Sequence, residues 1–276
     1  MKFGFIGAGN MGGLLLGTWL QAGAFAATDA IVSTRTASKA EALARRFPGL
    51  EVASSNAETA GRSDILFLCI KPMDFREVLK EIAPVLGPEQ IVVSITSPVS
   101  LERLERALPA KVAKMIPSIV NAGRRGATLL MFGSRLTAED QAHLTGLCAA
   151  ISRPVVIEES LVRVASDLSS CGPAFFAFLL ERFIEAAVQT GGMDRELAGQ
   201  LAREMLVGTA ALLESGYCDL KELQARVSVP GGITAAALEE LRRGIGDAFD
   251  RVLQTTQRKF AEDLARLEQW FNSPQY

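Results

Sequence analysis

The strongest indication of the fold is the segment Phe3-Gly4-Phe5-Ile6-Gly7-Ala8-Gly9-Asn10-Met11-Gly12. Its first four residues form a short apolar run, which predicts a buried strand. The next six match the pattern G-x-G-x-x-G at the start of a predicted helix. In this setting the first glycine permits a tight turn, the second lets the backbone approach a pyrophosphate, and the third allows close helix–strand packing. We therefore predict that a dinucleotide cofactor is held by Gly7, Ala8, Gly9, Asn10 and Met11.

The first half of the chain alternates short apolar runs with helical patterns. Continuous apolar runs are typical of strands buried on both faces, as in a parallel sheet covered by helices. Strands are expected at residues 3–6, 30–33, 65–70, 91–94, 111–115, 127–131 and 154–156. Helices are expected at residues 38–47, 74–85 and 137–150. This alternation predicts an α/β Rossmann domain, doubly wound around a mostly parallel sheet, over residues 1–157.

Strands are no longer expected after residue 157, and the pattern becomes helical. Helices are expected at residues 161–168, 173–190, 195–214, 220–226, 235–243 and 246–271. Breaks between helices are expected at Gly172-Pro173 and Pro230-Gly231-Gly232, among others. We predict that residues 158–276 form a second, all-helical domain.

Composition excludes several classes of function. The chain of 276 residues has 29 Lys and Arg against 31 Asp and Glu, so neither nucleic acid nor a membrane surface is an expected partner. Its single histidine, His143, is expected on an exposed helix face, and its four cysteines are widely spaced, so no metal site is expected. The cysteines are expected to be reduced thiols of a cytoplasmic protein. Such a chain would take its chemistry from a cofactor.

The end of the second predicted strand indicates which cofactor. A site that prefers NADH places Asp or Glu here, where it binds the ribose 2′-hydroxyl. This chain has Ser33, Thr34 and Arg35 instead, followed by Thr36 and Lys39. Hydroxyl and guanidinium groups suit a 2′-phosphate, so NADPH is expected over NADH. The alternative is that Arg35 is an ordinary solvated loop residue.

Two motifs in the helical half resemble those of a known family. Ser169-Ser170-Cys171-Gly172-Pro173-Ala174-Phe175 and Val229-Pro230-Gly231-Gly232-Ile233-Thr234 are similar to S-G-S-G-P-A-Y and S-P-G-G-T-T (or S-P-G-G-A-T) of the pyrroline-5-carboxylate reductases. The resemblance also covers the glycine loop, Asn56, Lys71-Pro72 and residues 207–214, in the same order along the chain. It implies an NAD(P)H-dependent enzyme of proline biosynthesis that reduces 1-pyrroline-5-carboxylate to L-proline.

The resemblance also implies substrate-binding residues. In the family, the G-G-x-T segment begins a helix whose backbone amides hold the substrate carboxylate, which assigns Pro230, Gly231, Gly232 and Thr234 to the substrate. Thr234 is the expected catalytic residue, because its hydroxyl could relay a proton to the ring nitrogen. The alternative is that Thr234 is only the N-cap of the helix. Cys171 is expected beside the substrate, as a packed thiol rather than a nucleophile.

Further cofactor contacts follow from the same resemblance. Asn56 is expected near the adenosine ribose, although it could instead cap the turn at residues 57–60. Ile70, Lys71 and Pro72 follow a predicted strand, at the sheet edge where nicotinamide and substrate would meet. The resemblance implies a homodimer, and higher oligomers occur in the family. In that dimer the helices of one chain complete the site of the other. Apolar runs such as residues 174–180 favour this arrangement over a single-chain helical core.

Several positions depart from the family pattern. Val229 stands where serine is usual, Ile116-Pro117-Ser118 replaces M-P-N, and Arg124-Arg125 replaces a glycine-rich, acidic loop. These changes resemble a divergent branch of the family, the late competence proteins of spore-forming bacteria. Three hypotheses therefore remain: a pyrroline-5-carboxylate reductase, a reductase of the same fold acting on another small imine or carbonyl compound, and a non-catalytic NADP-binding late competence protein.

Overall fold

The computed structural model describes residues 1–272 and contains two compact units. Unit 1 comprises Met1–Pro173 and the chain from Thr255 onward, and unit 2 comprises Ala174–Gln254. The last strand ends at Val156, next to the position at which the sequence predicts that strands cease. The functional division at residue 157 stays a prediction.

Unit 1 is built on one eight-stranded sheet in the order β3-β2-β1-β4-β5-β6-β7-β8. Among the strands of residues 1–272, the β6–β7 pair is antiparallel and every other pair is parallel. The predicted mostly parallel, doubly wound α/β fold is therefore confirmed. The strands are β1 Phe3–Ile6, β2 Ala30–Ser33, β3 Glu51–Val52, β4 Ile65–Leu68, β5 Ile91–Ser94, β6 Lys111–Ile116, β7 Ala127–Phe132 and β8 Arg153–Val156. The two-residue edge strand β3 was not predicted, because so short a segment carries no periodicity.

Within residues 1–272 there are twelve α-helices. They are α1 Asn10–Ala22, α2 Ala37–Arg46, α3 Asn56–Gly61, α4 Phe75–Ile82, α5 Leu101–Ala107, α6 Ala138–Ala149, α7 Val162–Ser166, α8 Gly172–Gly191, α9 Arg195–Glu214, α10 Leu220–Val227, α11 Ile233–Ile245 and α12 Ala248–Asn272. Of these, α1 to α7 belong to unit 1 and α9 to α11 to unit 2. No helix within residues 1–272 is long and apolar enough to cross a membrane.

The core of unit 1 explains why the apolar runs became strands. All residues of β1, β2, β4 and β5 are buried, because helices cover both faces of the sheet. Phe5 and Phe67 stack with ring centroids 4.9 Å apart, and Trp19 of α1 packs 4.9 Å from Phe67. The indole N–H of Trp19 donates to the carbonyl oxygen of Leu147 at 2.8 Å. This cluster anchors α1, and with it the glycine loop, to the sheet.

The predicted break at Gly172-Pro173 is wrong. A π-helical segment, Asp167–Cys171, joins α7 to α8 without interruption. Proline has no N–H, so in a regular α-helix residue 173 would leave the carbonyl oxygen of Ser169 without its usual donor. The hydroxyl of Ser118 donates to that oxygen at 2.7 Å. A tertiary hydrogen bond and a widened turn therefore accommodate a residue that in sequence looks like a helix end.

Unit 2 consists of helices with many exposed apolar side chains. The side chain of Asp194 accepts hydrogen bonds from the backbone N–H groups of Glu196 and Leu197 and so caps α9. Asp219 and Glu222 form a reciprocal capping box that begins α10. More than a third of each of these side chains is exposed in the single chain: Phe176, Phe178, Leu179, Phe183, Leu197, Leu201, Met205, Leu206 and Val207. A chain on its own would leave this apolar surface in water.

Candidate functional site

The carboxyl ends of β1, β2 and β4 meet at one edge of the sheet. Ile6, the last residue of β1, is paired in register with Ser33 of β2 and Leu68 of β4. A cavity of about 770 Å³ lies there. Among the predicted cofactor residues, the following line it: Gly7, Gly9, Ser33, Thr34, Arg35, Asn56, Ile70 and Lys71. In doubly wound sheets, the crevice between such strand ends is the usual ligand site.

Four predicted cofactor residues are outside this lining. Ala8 is buried in the core beneath the loop, Asn10 and Met11 belong to the first turn of α1, and Pro72 begins a short 3₁₀ turn. Their assignment to the cofactor remains a prediction.

The three glycines of the loop have three different surroundings. Gly7 has φ +102°, and a Cβ there would lie 2.3 Å from the carbonyl oxygen of Cys69. A Cβ on Gly12 would lie 2.1 Å from the carbonyl oxygen of Gly7 and 2.8 Å from Cβ of Cys69. A Cβ on Gly9 would meet nothing within 4 Å. Turn geometry and packing therefore explain Gly7 and Gly12, whereas Gly9 faces open space in the cavity.

The start of α1 is arranged to receive an anion. Gly9 is the N-cap residue, no side chain caps the helix, and its first turn contains no acidic residue. The first N–H groups of a helix have no intrahelical partners, and the helix dipole makes this end positive. The open space at Gly9 and these donors fit a pyrophosphate.

The far end of the cavity carries opposite charges close together. The side chain of Arg35 is 84% exposed, and its guanidinium lies 3.7 Å from the carboxylate of Asp74. Thr34, Thr36 and Lys39 line the same region. This group of donors fits a phosphate on the adenosine ribose, with Asp74 as a competing anion.

Asn56 makes contacts that the sequence did not predict. The cap of α3 is Ser55, whose hydroxyl accepts from the N–H of Glu58, so the alternative capping role for Asn56 is wrong. Instead, Oδ1 of Asn56 accepts from the hydroxyl of Ser33 at 2.9 Å, and Nδ2 donates to Glu81 at 2.8 Å. Asn56 therefore joins the end of β2 to α4 at the wall of the cavity.

Some lining residues were missed in the sequence. Asp74, Glu77 and Glu81 line the cavity in or just before α4, and Trp270 reaches it from the last turns of α12. The helical pattern expected at residues 74–85, directly after Lys71-Pro72, was a signal that could have placed these three acidic residues near the site. Trp270 had no local signal, since it lies far from the rest of the site along the chain.

Cys69, Cys171 and His143 lie in three different surroundings. Burial raises the pKa of the Cys69 thiol, at the cavity wall, to about 12, so it is not a thiolate at neutral pH. Cys171, predicted beside the substrate, accepts a hydrogen bond from Nη2 of Arg163 at 3.3 Å and is outside the cavity lining. His143 is exposed on α6, as predicted. Within residues 1–272, no group of three or more His, Cys, Asp or Glu is placed to hold a metal ion.

The predicted substrate segment lies in unit 2. Gly231 has φ +75°, and Gly232 is the N-cap of α11, without a side-chain cap or an acidic residue in the first turn. Thr234 is the second residue of α11, so the alternative that it is the N-cap is wrong. A Cβ on Gly232 would lie 2.8 Å from Cγ2 of Val229. Val229 is the residue that stands where the family pattern has serine. Pro230, Gly231, Gly232 and Thr234 thus surround one uncapped helix start.

Two family models match separate parts of the chain. Residues 2–98 match the family model described as NADP oxidoreductase, coenzyme F420-dependent, and residues 159–263 match that described as pyrroline-5-carboxylate reductase dimerisation. ComE operon protein 4 of Bacillus subtilis is 38% identical, over 99% of this chain and 100% of that protein. Pyrroline-5-carboxylate reductase of Escherichia coli is 32% identical, over 93% of this chain and 97% of the relative.

Solved structures share the fold. Plasmodium falciparum pyrroline carboxylate reductase with NADP bound superposes with a TM-score of 0.82 at 23% identity, covering 97% of this chain and 98% of the other. An imine reductase from Myxococcus stipitatus in complex with NADP⁺ has a TM-score of 0.56 at 19% identity, covering 94% and 95%.

The fold and the cavity define a class, the oxidoreductases with an N-terminal NAD(P)-binding Rossmann domain and a C-terminal helical domain. Within that class, the 32% sequence identity to a pyrroline-5-carboxylate reductase over nearly the whole of both chains identifies the family. The chain belongs to the pyrroline-5-carboxylate reductase family.

Proposed function

We propose that this protein reduces 1-pyrroline-5-carboxylate to L-proline with NADPH. The observation that carries the proposal is the open space at Gly9, beside the uncapped start of α1, in a cavity that also contains Arg35. This arrangement fits a phosphorylated dinucleotide, and family membership supplies the reaction class. When bound, the cofactor supplies the hydride. The C=N bond of the ring becomes CH–NH, with the hydride on carbon and a proton on nitrogen.

The residues of this chain would bind and orient the reactants. Gly7, Gly9 and the first N–H groups of α1 would hold the pyrophosphate, and Thr34 and Arg35 the 2′-phosphate. The N–H groups at the start of α11 would hold the substrate carboxylate, because Gly231 and Gly232 leave them accessible. The Thr234 hydroxyl would pass a proton towards the ring nitrogen. An iminium carbon is already electrophilic, so orientation and exclusion of water are the main tasks.

We also propose that the protein is a homodimer through its helical half. The exposed phenylalanine, leucine and methionine side chains of α8 and α9, and the dimerisation family model over residues 159–263, support this. A cytoplasmic location is proposed from the four free cysteine thiols.

A second function is favoured by one comparison. The identity to ComE operon protein 4, 38% over the whole of both chains, exceeds the 32% to the Escherichia coli reductase. Together with Val229 and Ser118 in place of the family's usual residues, this favours a late competence protein that binds NADP without catalysis.

One experiment separates these functions. Purified protein is mixed with NADPH and either pyrroline-5-carboxylate or another small cyclic imine, the product is measured by mass spectrometry, and NADPH binding is measured separately by its fluorescence. Proline formation with matching NADPH oxidation is the expected result. Bound NADPH without turnover of any small imine supports the second function, and turnover of a different cyclic imine alone identifies a reductase with another substrate. A protein that binds no dinucleotide contradicts all three.

A further inference from the structure

We infer that Glu81 is a positioning residue that sets the hydrogen-bond polarity at the adenosine end of the cavity. It acts through Asn56 and Ser33 and thereby biases the balance between NADPH and NADH. The inference rests on the proposed binding of NAD(P)H in this cavity. Glu81, Asn56 and Ser33 all line it.

Both carboxylate oxygens of Glu81 accept hydrogen bonds from the start of α3. Its Oε1 accepts from the backbone N–H groups of Asn56 at 3.1 Å and Ala57 at 3.3 Å. Its Oε2 accepts from Nδ2 of Asn56 at 2.8 Å. Since three donors converge on one carboxylate, the side chain of Asn56 is held in one orientation.

The chemistry of the carboxylate decides which way the Asn56 amide points. An ionised carboxylate only accepts hydrogen bonds, so the NH₂ group must face Glu81 and Oδ1 must face away from it. Oδ1 lies 2.9 Å from the hydroxyl oxygen of Ser33. An amide oxygen also only accepts, so the Ser33 hydroxyl donates its single hydrogen to Asn56. Towards the cavity, Ser33 therefore presents lone pairs alone.

This polarity distinguishes a ribose hydroxyl from a phosphate. A ribose hydroxyl can donate to Ser33, whereas a phosphate dianion has only acceptor oxygens and would oppose it. The donors that remain for a 2′-phosphate are those of Thr34, Arg35, Thr36 and Lys39. Ser33, grouped with these donors on the sequence alone, is thus assigned to a ribose hydroxyl.

Replacing Glu81 by glutamine reverses the chain of hydrogen bonds. The new carboxamide oxygen still accepts from the backbone N–H groups of Asn56 and Ala57, so its NH₂ group faces the Asn56 side chain. Asn56 then turns its oxygen to residue 81 and its NH₂ group to Ser33. The Ser33 hydrogen becomes free to donate into the cavity. Affinity for NADPH should therefore rise relative to NADH.

A matched control separates polarity from charge. Glu77 lines the same cavity, and its carboxylate pairs with Lys80 at 3.6 Å rather than with Asn56. Glu77→Gln removes the same unit of charge without changing the hydrogen bonds that join Ser33, Asn56 and Glu81. Dissociation constants for NADPH and NADH are measured by fluorescence titration of wild type, Glu81→Gln and Glu77→Gln. Their ratio does not depend on the folded fraction, since both ligands are measured on the same protein.

The expected result is a shift of the ratio towards NADPH in Glu81→Gln that exceeds the Glu77→Gln shift by about fivefold, the value of one net hydrogen bond. Equal shifts in the two variants overturn the inference and leave the proposed function intact. Wild type that binds neither dinucleotide contradicts the proposed function itself.

Ser33→Ala provides an independent test that does not require Glu81→Gln to fold. Loss of an acceptor for a ribose hydroxyl should weaken NADH binding at least as much as NADPH binding. A selective loss of NADPH affinity shows that Ser33 donates to the phosphate, and it overturns the inference.

Discussion

The ammonium group of Lys114 lies 2.7 Å from Oε1 of Glu159 and 2.7 Å from the carbonyl oxygen of Ser97. The side chain of Lys114, on β6, is only 1% exposed, whereas that of Glu159 is 32% exposed. Glu159 also accepts from the backbone N–H of Leu101 at 3.0 Å, at the start of α5. This ion pair therefore connects β6, α5 and the entry to α7 within unit 1.

Glu159→Gln should destabilise the protein in a pH-dependent way. It leaves a buried ammonium without its anion, which should lower the free energy of unfolding at neutral pH by about 2 kcal/mol. Burial already lowers the pKa of Lys114 from 10.5, and Glu159 opposes that effect. Without Glu159, the pKa of Lys114 in the folded state falls further.

The sign of the pH dependence follows from proton binding. Between the lowered folded-state pKa and the unfolded-state value of 10.5, the unfolded chain holds more protons, so stability rises with pH. Glu159→Gln should therefore recover part of its deficit as the pH rises from neutral towards 10.5 in urea denaturation. Glu158→Gln, at the exposed neighbouring position, is the control. A deficit that stays constant over this range contradicts the prediction.

Two glycine substitutions should separate binding from folding. Gly12→Ala should cost at least about 2 kcal/mol of stability, because its Cβ would lie 2.1 Å from the carbonyl oxygen of Gly7. Gly9→Ala, with φ −72° and no atom near its Cβ, should change stability by less than about 0.5 kcal/mol. It should nevertheless weaken NADPH binding by about tenfold or more, because the methyl group occupies pyrophosphate space. Thermal unfolding and fluorescence titration measure the two effects, and unchanged affinity in Gly9→Ala would falsify the assignment.

Arg35→Ala should remove the preference for NADPH. The predicted loss is about tenfold in NADPH affinity with NADH affinity unchanged, because only NADPH carries the 2′-phosphate. Asp74→Asn should act in the opposite direction, since the carboxylate 3.7 Å away competes for the same guanidinium. Arg45→Ala, an exposed arginine on α2, is the control. An unaltered NADPH-to-NADH ratio in Arg35→Ala means that Arg35 is a solvated loop residue.

Trp270 should report occupancy of the cavity. It is 37% exposed and lines the cavity, whereas Trp19, the other tryptophan, is fully buried in the core. NADP⁺ should therefore protect part of the tryptophan emission from quenching by acrylamide, and Trp270→Phe should abolish that protection. Protection that persists in Trp270→Phe contradicts the placement of the dinucleotide beside α12.

Thr234→Val should lower kcat without disturbing α11. Gly232 is the N-cap, so the loss of the Thr234 hydroxyl leaves the helix start intact. If the hydroxyl relays a proton, kcat should fall by about 10² or more with little change in KM. Thr234→Ser keeps the hydroxyl and should retain most of the activity. A rise in KM alone would mean that Thr234 only binds substrate.

Local patterns along the chain predict the sheet and the glycine loop of the candidate site. Continuous apolar runs predicted the long strands, and G-x-G-x-x-G after the first of them predicted the loop that meets the cavity at Gly7 and Gly9. These features are local, because apolar periodicity and glycine spacing are properties of neighbouring residues. The family resemblance implied a helix start at Gly231-Gly232-Ile233-Thr234, but the sequence left open whether Thr234 is its N-cap, which the structure places at Gly232.

The remaining contacts depend on how separate elements pack together. Glu81 meets Asn56, Trp270 reaches the cavity, and the Ser118 hydroxyl supports the π-helical turn before Pro173. Each contact joins residues from separate elements, so no periodicity or spacing encodes it. Gly172-Pro173 therefore predicted a helix break, but the helix continues because the hydroxyl of Ser118 donates to the carbonyl oxygen that Pro173 leaves without a donor. The polarity of Ser33 on β2 likewise depends on the carboxylate of Glu81 on α4, five of these strands and helices further along the chain, since a hydroxyl takes its direction from its neighbours in space.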